Sequence, residues 1–381
     1  MKVPFFSFDG MHDTIKHEML NAFEKVYDSK WYILGNNVKE FESAYASFSN
    51  TQYCAGISNC LDALVLSLQV LGIDSGDEVI VPSNTYIATV LAVTRLGATP
   101  VFAEPDKLTY NLDPENFEKA ITSKTKAAIP VHLYGQPCNM PAITKVARRH
   151  NIFVVEDNAQ SHAAKWNGQI TGSWGDINAT SFYPGKNLGA LGDAGAITTN
   201  CEEWFERIKM LRNYGSSVKY YNEEPGYNMR LDELQAALLS VKLKYIYQWS
   251  EERVRVANKY IERLRGVKNV VLPYHPPECT HTYHLFIIRT DLRNQMQQYL
   301  REKGIDTLIH YPVPPFLQKA YRYLGYGEKD FPIAKNLADT MLSLPLYPGI
   351  TDEQIEYVCK CIENFAKQHT GLQVFAESDK A

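Results

Sequence analysis

The 381-residue chain lacks any apolar run approaching the ~20 residues that a membrane-spanning helix needs. It also lacks a basic stripe or polybasic block, and its formal net charge is -4. Nucleic acid and anionic membrane surfaces are therefore poor partners. Its seven cysteines are an odd number, are scattered, and form no CxxC pair. That argues against a disulfide framework or a zinc site and fits reduced cytosolic thiols. The start, Met1-Lys2-Val3-Pro4-Phe5-Phe6, shows no apolar core followed by a small-residue cleavage pattern. No secretory signal is expected, and the expected location is cytoplasmic. Internal repeats and low-complexity segments are absent too. What remains is 45% hydrophobic and 22% charged, the make-up of an ordinary globular chain with a sizeable core. The length suggests two domains, or a large one with a smaller partner.

Apolar positions at helical spacing (Ile15, Met19, Phe23, Val26) predict a helix over 12–30, and Val38, Phe41, Tyr45 and Phe48 predict a second. From Cys54-Ala55-Gly56-Ile57 onward, short apolar runs alternate with helical patterns up to about residue 200. Strands are expected at 78–82, 99–103, 127–131, 152–157 and 195–199. Helices are expected at 61–68, 87–96, 114–122 and 140–150. This alternation predicts an α/β fold with a mostly parallel sheet covered on both faces. Ligands in such folds sit at the carboxyl ends of strands. Residues 202–213 read as a helix, Tyr214–Tyr227 as a long polar loop, and Leu231–Leu243 as the start of a helix running towards residue 265. A boundary near 245/246 gives a large domain, 1–245, and a small α/β domain, 246–370. The small domain is expected to hold strands at 269–273 and 284–290 and helices at 292–303, 331–342 and 351–367. The tail 371–381 reads as disordered.

The stretch from Ser181-Phe182-Tyr183-Pro184-Gly185-Lys186 to Gly195-Ala196 places one lysine among small residues, between two expected strands. A lysine on such a turn can be partly desolvated, which lowers an amine's pKa and lets it attack a carbonyl to form a Schiff base. Taken alone, Lys186 reads as a solvated loop lysine. Tyr86, Asp157 and Lys186 all follow expected strands, so they could converge. Ser58-Asn59-Cys60 opens a helix whose free amides suit phosphate, although Ser58 and Asn59 could simply cap it. The glycines from 185 to 192 fit neither GxGxxG nor GxxxxGK[ST], since position 187 is Asn187 and position 180 is Thr180. His281 and His284 would face opposite sides of a strand, so a metal pair is not expected.

These pieces together resemble the DegT/DnrJ/EryC1/StrS family of sugar aminotransferases. That family is a branch of the fold-type I pyridoxal phosphate (PLP) enzymes, with an aspartate aminotransferase-like fold. The motifs agree in order from Trp31-Tyr32-Ile33-Leu34-Gly35 through Val155-Glu156-Asp157-Asn158-Ala159-Gln160, the lysine stretch and Asn228-Met229-Arg230-Leu231-Asp232-Glu233 to His310-Tyr311-Pro312 and Leu344-Pro345-Leu346. The resemblance implies Lys186 as the Schiff-base lysine and Asp157 as the acid facing the pyridine nitrogen, which makes the ring an electron sink. It implies Gln160 beside the phenolic oxygen and Tyr86 stacked on the ring. Ser181 and the amides of Asn59, Cys60 and Leu61 would cradle the phosphate, and Asn228 would be donated to it by the neighbouring subunit of a homodimer. Many relatives have Gly-Thr where this chain has Cys60-Leu61, so a hydroxyl contact is lost here.

The lysine stretch and Arg212-Asn213-Tyr214-Gly215 further resemble enzymes that aminate C3 of dTDP-linked 3-keto-6-deoxyhexoses, in deoxyaminosugar and lipopolysaccharide pathways. Glutamate would be the donor, 2-oxoglutarate the co-product and pyridoxamine phosphate the intermediate form of the cofactor. Tyr183, Tyr214, Lys219, Tyr221 and His310 are the expected sugar-nucleotide contacts. A 4-aminotransferase is the alternative. A pyridoxamine-dependent dehydratase would carry histidine in place of Lys186, and a regulatory protein would not need Asp157, Gln160 and Lys186 together.

Overall fold

The computed structural model describes residues 1–369, so the expected tail at 371–381 lies outside the described residues. Helix α1 (Asp9–Ser29) buries Met11, Ile15, Met19 and Val26 and leaves Phe23 exposed; between Met19 and Val26 it is Ala22, not Phe23, that packs inward. Helix α2 (Asn36–Phe48) turns Val38, Phe41 and Tyr45 inward. Then come β1 (Tyr53–Ile57), α3 (Cys60–Val70), β2 (Glu78–Pro82), α4 (Ile87–Arg95), β3 (Thr99–Ala103), α5 (Pro114–Lys119), β4 (Thr125–Ala128), α6 (Met140–His150) and β5 (Phe153–Asp157). Two short strands, β6 (Lys165–Trp166) and β7 (Gln169–Ile170), precede β8 (Ile177–Ser181), β9 (Gly195–Thr199) and α7 (Glu202–Leu211).

Seven of these strands form one sheet in the order β1-β9-β8-β5-β4-β2-β3. The five from β8 to β3 run parallel, and β9 is antiparallel to both its neighbours. Alternate residues of each strand enter different cores, as the pleat demands. Val79 and Val81 pack with α3 and α4, whereas Ile80 packs with Phe117 of α5 and with Ile143 and Ala147 of α6. With both faces covered, most of the strands are near-continuous apolar runs and were readable from sequence. The exception is β8, buried throughout but reading Ile177-Asn178-Ala179-Thr180-Ser181, where no strand was expected.

The loop expected at 214–227 contains a hairpin, β10 (Ser216–Val218) with β11 (Tyr221–Asn222). The long helix expected from 231 is two helices, α8 (Glu233–Leu243) and α9 (Ile246–Leu264), broken at Lys244-Tyr245. Both carry apolar patterns in nearly the same phase, so the break leaves little trace in the sequence. Next, β12 (Cys279–Thr280) pairs with β6, and β13 (Phe286–Arg289) precedes α10 (Arg293–Glu302). The strand expected at 269–273 is a single bridge, Val271 with Arg289. Helix α11 (Pro332–Thr340) ends earlier than expected. Met341–Leu344 forms β14, which pairs antiparallel with β13 and is followed by α12 (Asp352–Gln368). A separate core joins α9, β13, α10, β14 and α12, and Val3 belongs to it through its bridge to Ile305. No helix among the described residues is long and apolar enough to cross a membrane.

Candidate active site

Strand β8 delivers the chain into the lysine turn. Its first bonds are local: Lys186 N donates to Tyr183 O at 2.8 Å, and Ala190 N donates to Phe182 O at 2.8 Å. A Cβ on Gly189 would lie 2.1 Å from Pro184 O, so only glycine lets the turn close on itself. Asn187 is buried, and its Nδ2 donates to Thr282 O while its Oδ1 lies 3.3 Å from His284 Nδ1. Lys186 is half-buried at the centre. Burial pulls its pKa below that of an ordinary lysine, and the neighbouring Cys60 and Asp157 partly oppose this.

Asp157 ends β5 and is buried. Its Oδ2 accepts from Thr89 Oγ1 at 3.0 Å, its Oδ1 from Ala159 N at 3.2 Å, and the Cys60 thiol lies 3.9 Å from Oδ1. Burial raises its pKa above the usual carboxylate value, with the Ala159 amide, Thr89 and the Lys186 charge working against the rise. Its neighbour Glu156 points the other way, accepting from the amides of Gly172, Trp174 and Gly175 and pairing with His132 Nε2 at 2.7 Å. Because Cys138 N donates to His132 Nδ1 at 2.9 Å, that ring is neutral and carries its proton on Nε2.

This buried pair fixes the loop leading to Tyr134, whose amide donates to Gln160 Oε1 at 2.7 Å. Gln160 Nε2 in turn donates to Tyr311 OH at 3.2 Å. The Tyr311 ring lies 5.1 Å from that of Tyr86, which stands half-exposed at the start of α4. His310 is held by Ser343 Oγ at 2.7 Å and by Tyr134 OH, which donates to its carbonyl.

At the edge of the cluster, the Asn59 side chain caps α3 by accepting from Asp62 N at 2.9 Å. The capping reading of Asn59 is therefore correct for its side chain. The amides of Cys60 and Leu61, in the helix's first turn, have no intrahelical acceptor and remain for a ligand. Gly195 abuts this turn so closely that a Cβ there would lie 2.6 Å from the Asn59 carbonyl carbon. Ser181, the last residue of β8, accepts from Tyr183 N at 3.2 Å.

The fold thus gathers Asn59–Leu61, Tyr86, Asp157, Gln160, Ser181, Lys186 and His310 at the carboxyl ends of strands. Tyr183 sits on the turn itself and is exposed. Tyr214, Lys219, Tyr221 and Asn228 make no contact with this cluster among the described residues. Tyr214 lies beneath the Arg230 guanidinium, Lys219 beside the Tyr220 ring, and Tyr221 and Asn228 in solvent. Sequence reasoning missed Thr89 and Tyr311 as members of the site, although Thr89 lies about one helical turn beyond Tyr86. It weighed His284 only as a metal ligand. His281 stacks on Tyr283 at 3.8 Å while His284 faces Asn187, and both precede β13 rather than lying in it.

The residues fit a phosphorylated pyridine aldehyde. An amine with a lowered pKa would meet the aldehyde, a buried carboxylate the ring nitrogen, an exposed tyrosine the ring face, and two free helix amides the phosphate. Residues 13–363 match the model of the DegT/DnrJ/EryC1/StrS aminotransferase family. The chain belongs to this family. It is 47% identical over 363 residues to the dTDP-3-amino-3,6-dideoxy-alpha-D-galactopyranose transaminase of Aneurinibacillus thermoaerophilus, covering 95% of this chain and 99% of that one. Among solved structures, it superposes with a TM-score of 0.94 on Streptomyces venezuelae DesV in complex with a ketimine intermediate. That match is 43% identical and covers 96% of this chain and 99% of DesV. It also superposes, with a TM-score of 0.88 and 26% identity, on the PLP form of the putative sugar aminotransferase Spr1654 from Streptococcus pneumoniae, covering 92% of this chain and 96% of that one. This aminotransferase therefore has the fold-type I architecture, and its cofactor is PLP.

Proposed function

We propose that this aminotransferase moves the amino group of glutamate to C3 of a dTDP-linked 3-keto-6-deoxyhexose. The carrying observation is the closed turn that holds Lys186 beside Asp157; the choice of sugar follows the relative from A. thermoaerophilus. Bound PLP supplies an electron sink for the pair left on the donor carbon. Lys186 Nζ, free as an amine, would take the proton from the amino acid Cα as general base and deliver it, as general acid, to the cofactor carbon that keeps the amino group (C4′). Asp157 would hold the proton on the pyridine nitrogen, and Gln160 would face the phenolic oxygen. Tyr86 would cover the ring, and Ser181 would join the amides of Cys60 and Leu61 at the phosphate.

The site is completed in a homodimer, with Asn228 of the partner subunit reaching the phosphate. The exposed, unengaged Asn228 supports this, as does the apolar face of Leu20, Phe23 and Tyr27 on α1, continued by Trp31. Tyr183 and His310 contact the hexose, and the hairpin residues Lys219 and Tyr221, with Tyr214, reach the nucleotide of the sugar bound by the partner. The chain divides into domains at 245/246, a reading supported by the separate core of α9, α10 and α12. The enzyme works in the cytoplasm, in a pathway building deoxyaminosugars for lipopolysaccharide or a similar glycan.

The test is to incubate the purified protein with glutamate and a panel of dTDP-ketosugars and to read product mass and regiochemistry. A 3-amino product from the 3-keto isomer is expected. A 4-amino product with the 3-keto isomer untouched would overturn the regiochemistry and leave transamination standing.

A further inference from the structure

Beneath the lysine turn lies a buried amine for which the chemistry above has no use. Lys242 on α8 is 2% exposed and has no carboxylate partner among the described residues. Its Nζ donates to Gly189 O at 2.7 Å and lies 2.8 Å from His12 Nε2. His12 must be neutral to accept there. Burial, and then the Lys242 ammonium, lower its pKa to about 4 against the opposing pull of Asp13 and Asp9. Burial lowers Lys242 itself to about 8. An ammonium placed in the interior without a counter-ion is costly, whereas methionine would fill the same space without that cost. The carbonyl it meets explains its place. Gly189 is buried, is three residues past Lys186, and is where the turn closes against Pro184. Without Lys242 that oxygen would be an unpaired buried acceptor. Gln235, two helical turns earlier on α8, accepts from Leu191 N at 2.8 Å. One face of α8 therefore grips the turn twice.

We propose that Lys242 is a positioning residue for Lys186: it pins the Gly189 carbonyl, with His12 as its second acceptor, and so fixes the turn from which Lys186 meets the cofactor. This rests on the reading of Lys186 as the cofactor lysine.

The test compares cofactor-free parent, Lys242→Met and Lys242→Arg proteins. Hydrogen exchange is followed across residues 182–192, and PLP is then added and the growth of its visible band timed. In a folded Lys242→Met protein, exchange in the turn should quicken and attachment should slow on the order of tenfold. Its kcat should fall with KM for glutamate unchanged. Lys242→Arg keeps a cationic donor and should recover most of the loss, which a merely space-filling lysine would not require. Parent-like exchange and attachment in Lys242→Met would overturn the proposal. Should that variant fail to fold, the same comparison on Lys242→Gln, too short to reach Gly189, decides it in the same terms. A parent protein that forms no band, or forms it at another lysine, would instead contradict the reading of Lys186.

Discussion

Burial decides the electrostatics of Asp157. Three donors surround it (Thr89, the Ala159 amide and the Cys60 thiol) and Lys186 acts on it from nearby, yet burial still raises its pKa. A protonated pyridine nitrogen against the carboxylate would favour its charged form. Asp157→Asn should therefore fold and bind PLP, because asparagine keeps the shape and an acceptor. It should lose on the order of 10²-fold in turnover, because a neutral amide cannot hold the ring proton. Steady-state kinetics beside a melting curve check this; near-parental turnover would show that Asp157 does not face the ring nitrogen. At this scale the sequence spoke through motifs: Lys186, Asp157 and Gln160 were singled out by their place in the family's motifs, since Lys186 taken alone reads as a solvated loop lysine. Thr89 carries no signal until the fold sets it against Asp157, and Tyr311, although inside the His310-Tyr311-Pro312 motif, takes its place in the site only once the fold sets it against Gln160.

The first turn of α3 separates two roles that one residue could confuse. The Asn59 side chain caps the helix, and the following amides are free for the phosphate. Asn59→Ala should cost about 1 kcal/mol of stability. Asn59→Asp keeps a good cap but adds a negative charge where phosphate would bind. Its stability in urea should match the parent while PLP affinity falls; a weaker fold with unchanged affinity would reverse the assignment of roles. Elements buried on both faces, such as β2 and β5, were legible as apolar runs. The missed elements share a different cause. The α8/α9 break keeps the helical pattern in phase, β14 follows α11 without an intervening turn residue, and the hairpin at 216–222 is exposed and has no apolar alternation. Tertiary contacts decide these places, and local pattern does not.

Across the whole molecule, several histidines are held neutral, His162 and His281 buried and His12 and His310 half-buried. Burial is the first cause at each. It is reinforced by Lys186 at His162 and His310, by Lys242 at His12 and by His275 at His281. Their pKa values fall to about 3 for His162 and His281 and to about 4 for His310 and His12. The unfolded chain takes up these protons near pH 6.5, while the folded chain resists until pH 4 to 3. Stability from these groups is therefore complete above pH 6.5 and is lost as pH falls towards 4 and 3. Denaturant midpoints measured from pH 7 to 4 should drop steadily, and a flat profile would contradict the neutral rings.

The assembly is tested by mixing inactive Lys186→Ala and Asn228→Asp proteins under conditions that exchange subunits. On the proposed shared site, hybrids should regain one site with both residues intact. No recovery despite proven exchange would place them in one chain's site.

The account turns on one residue, and one measurement addresses it. The PLP-loaded protein is reduced with borohydride, digested and mapped by mass spectrometry. The pyridoxyl group is predicted on Lys186, which lies in the closed turn beside Asp157 with its pKa lowered by burial. Labelling at any other lysine, or no covalent label in a protein that binds PLP, would contradict it.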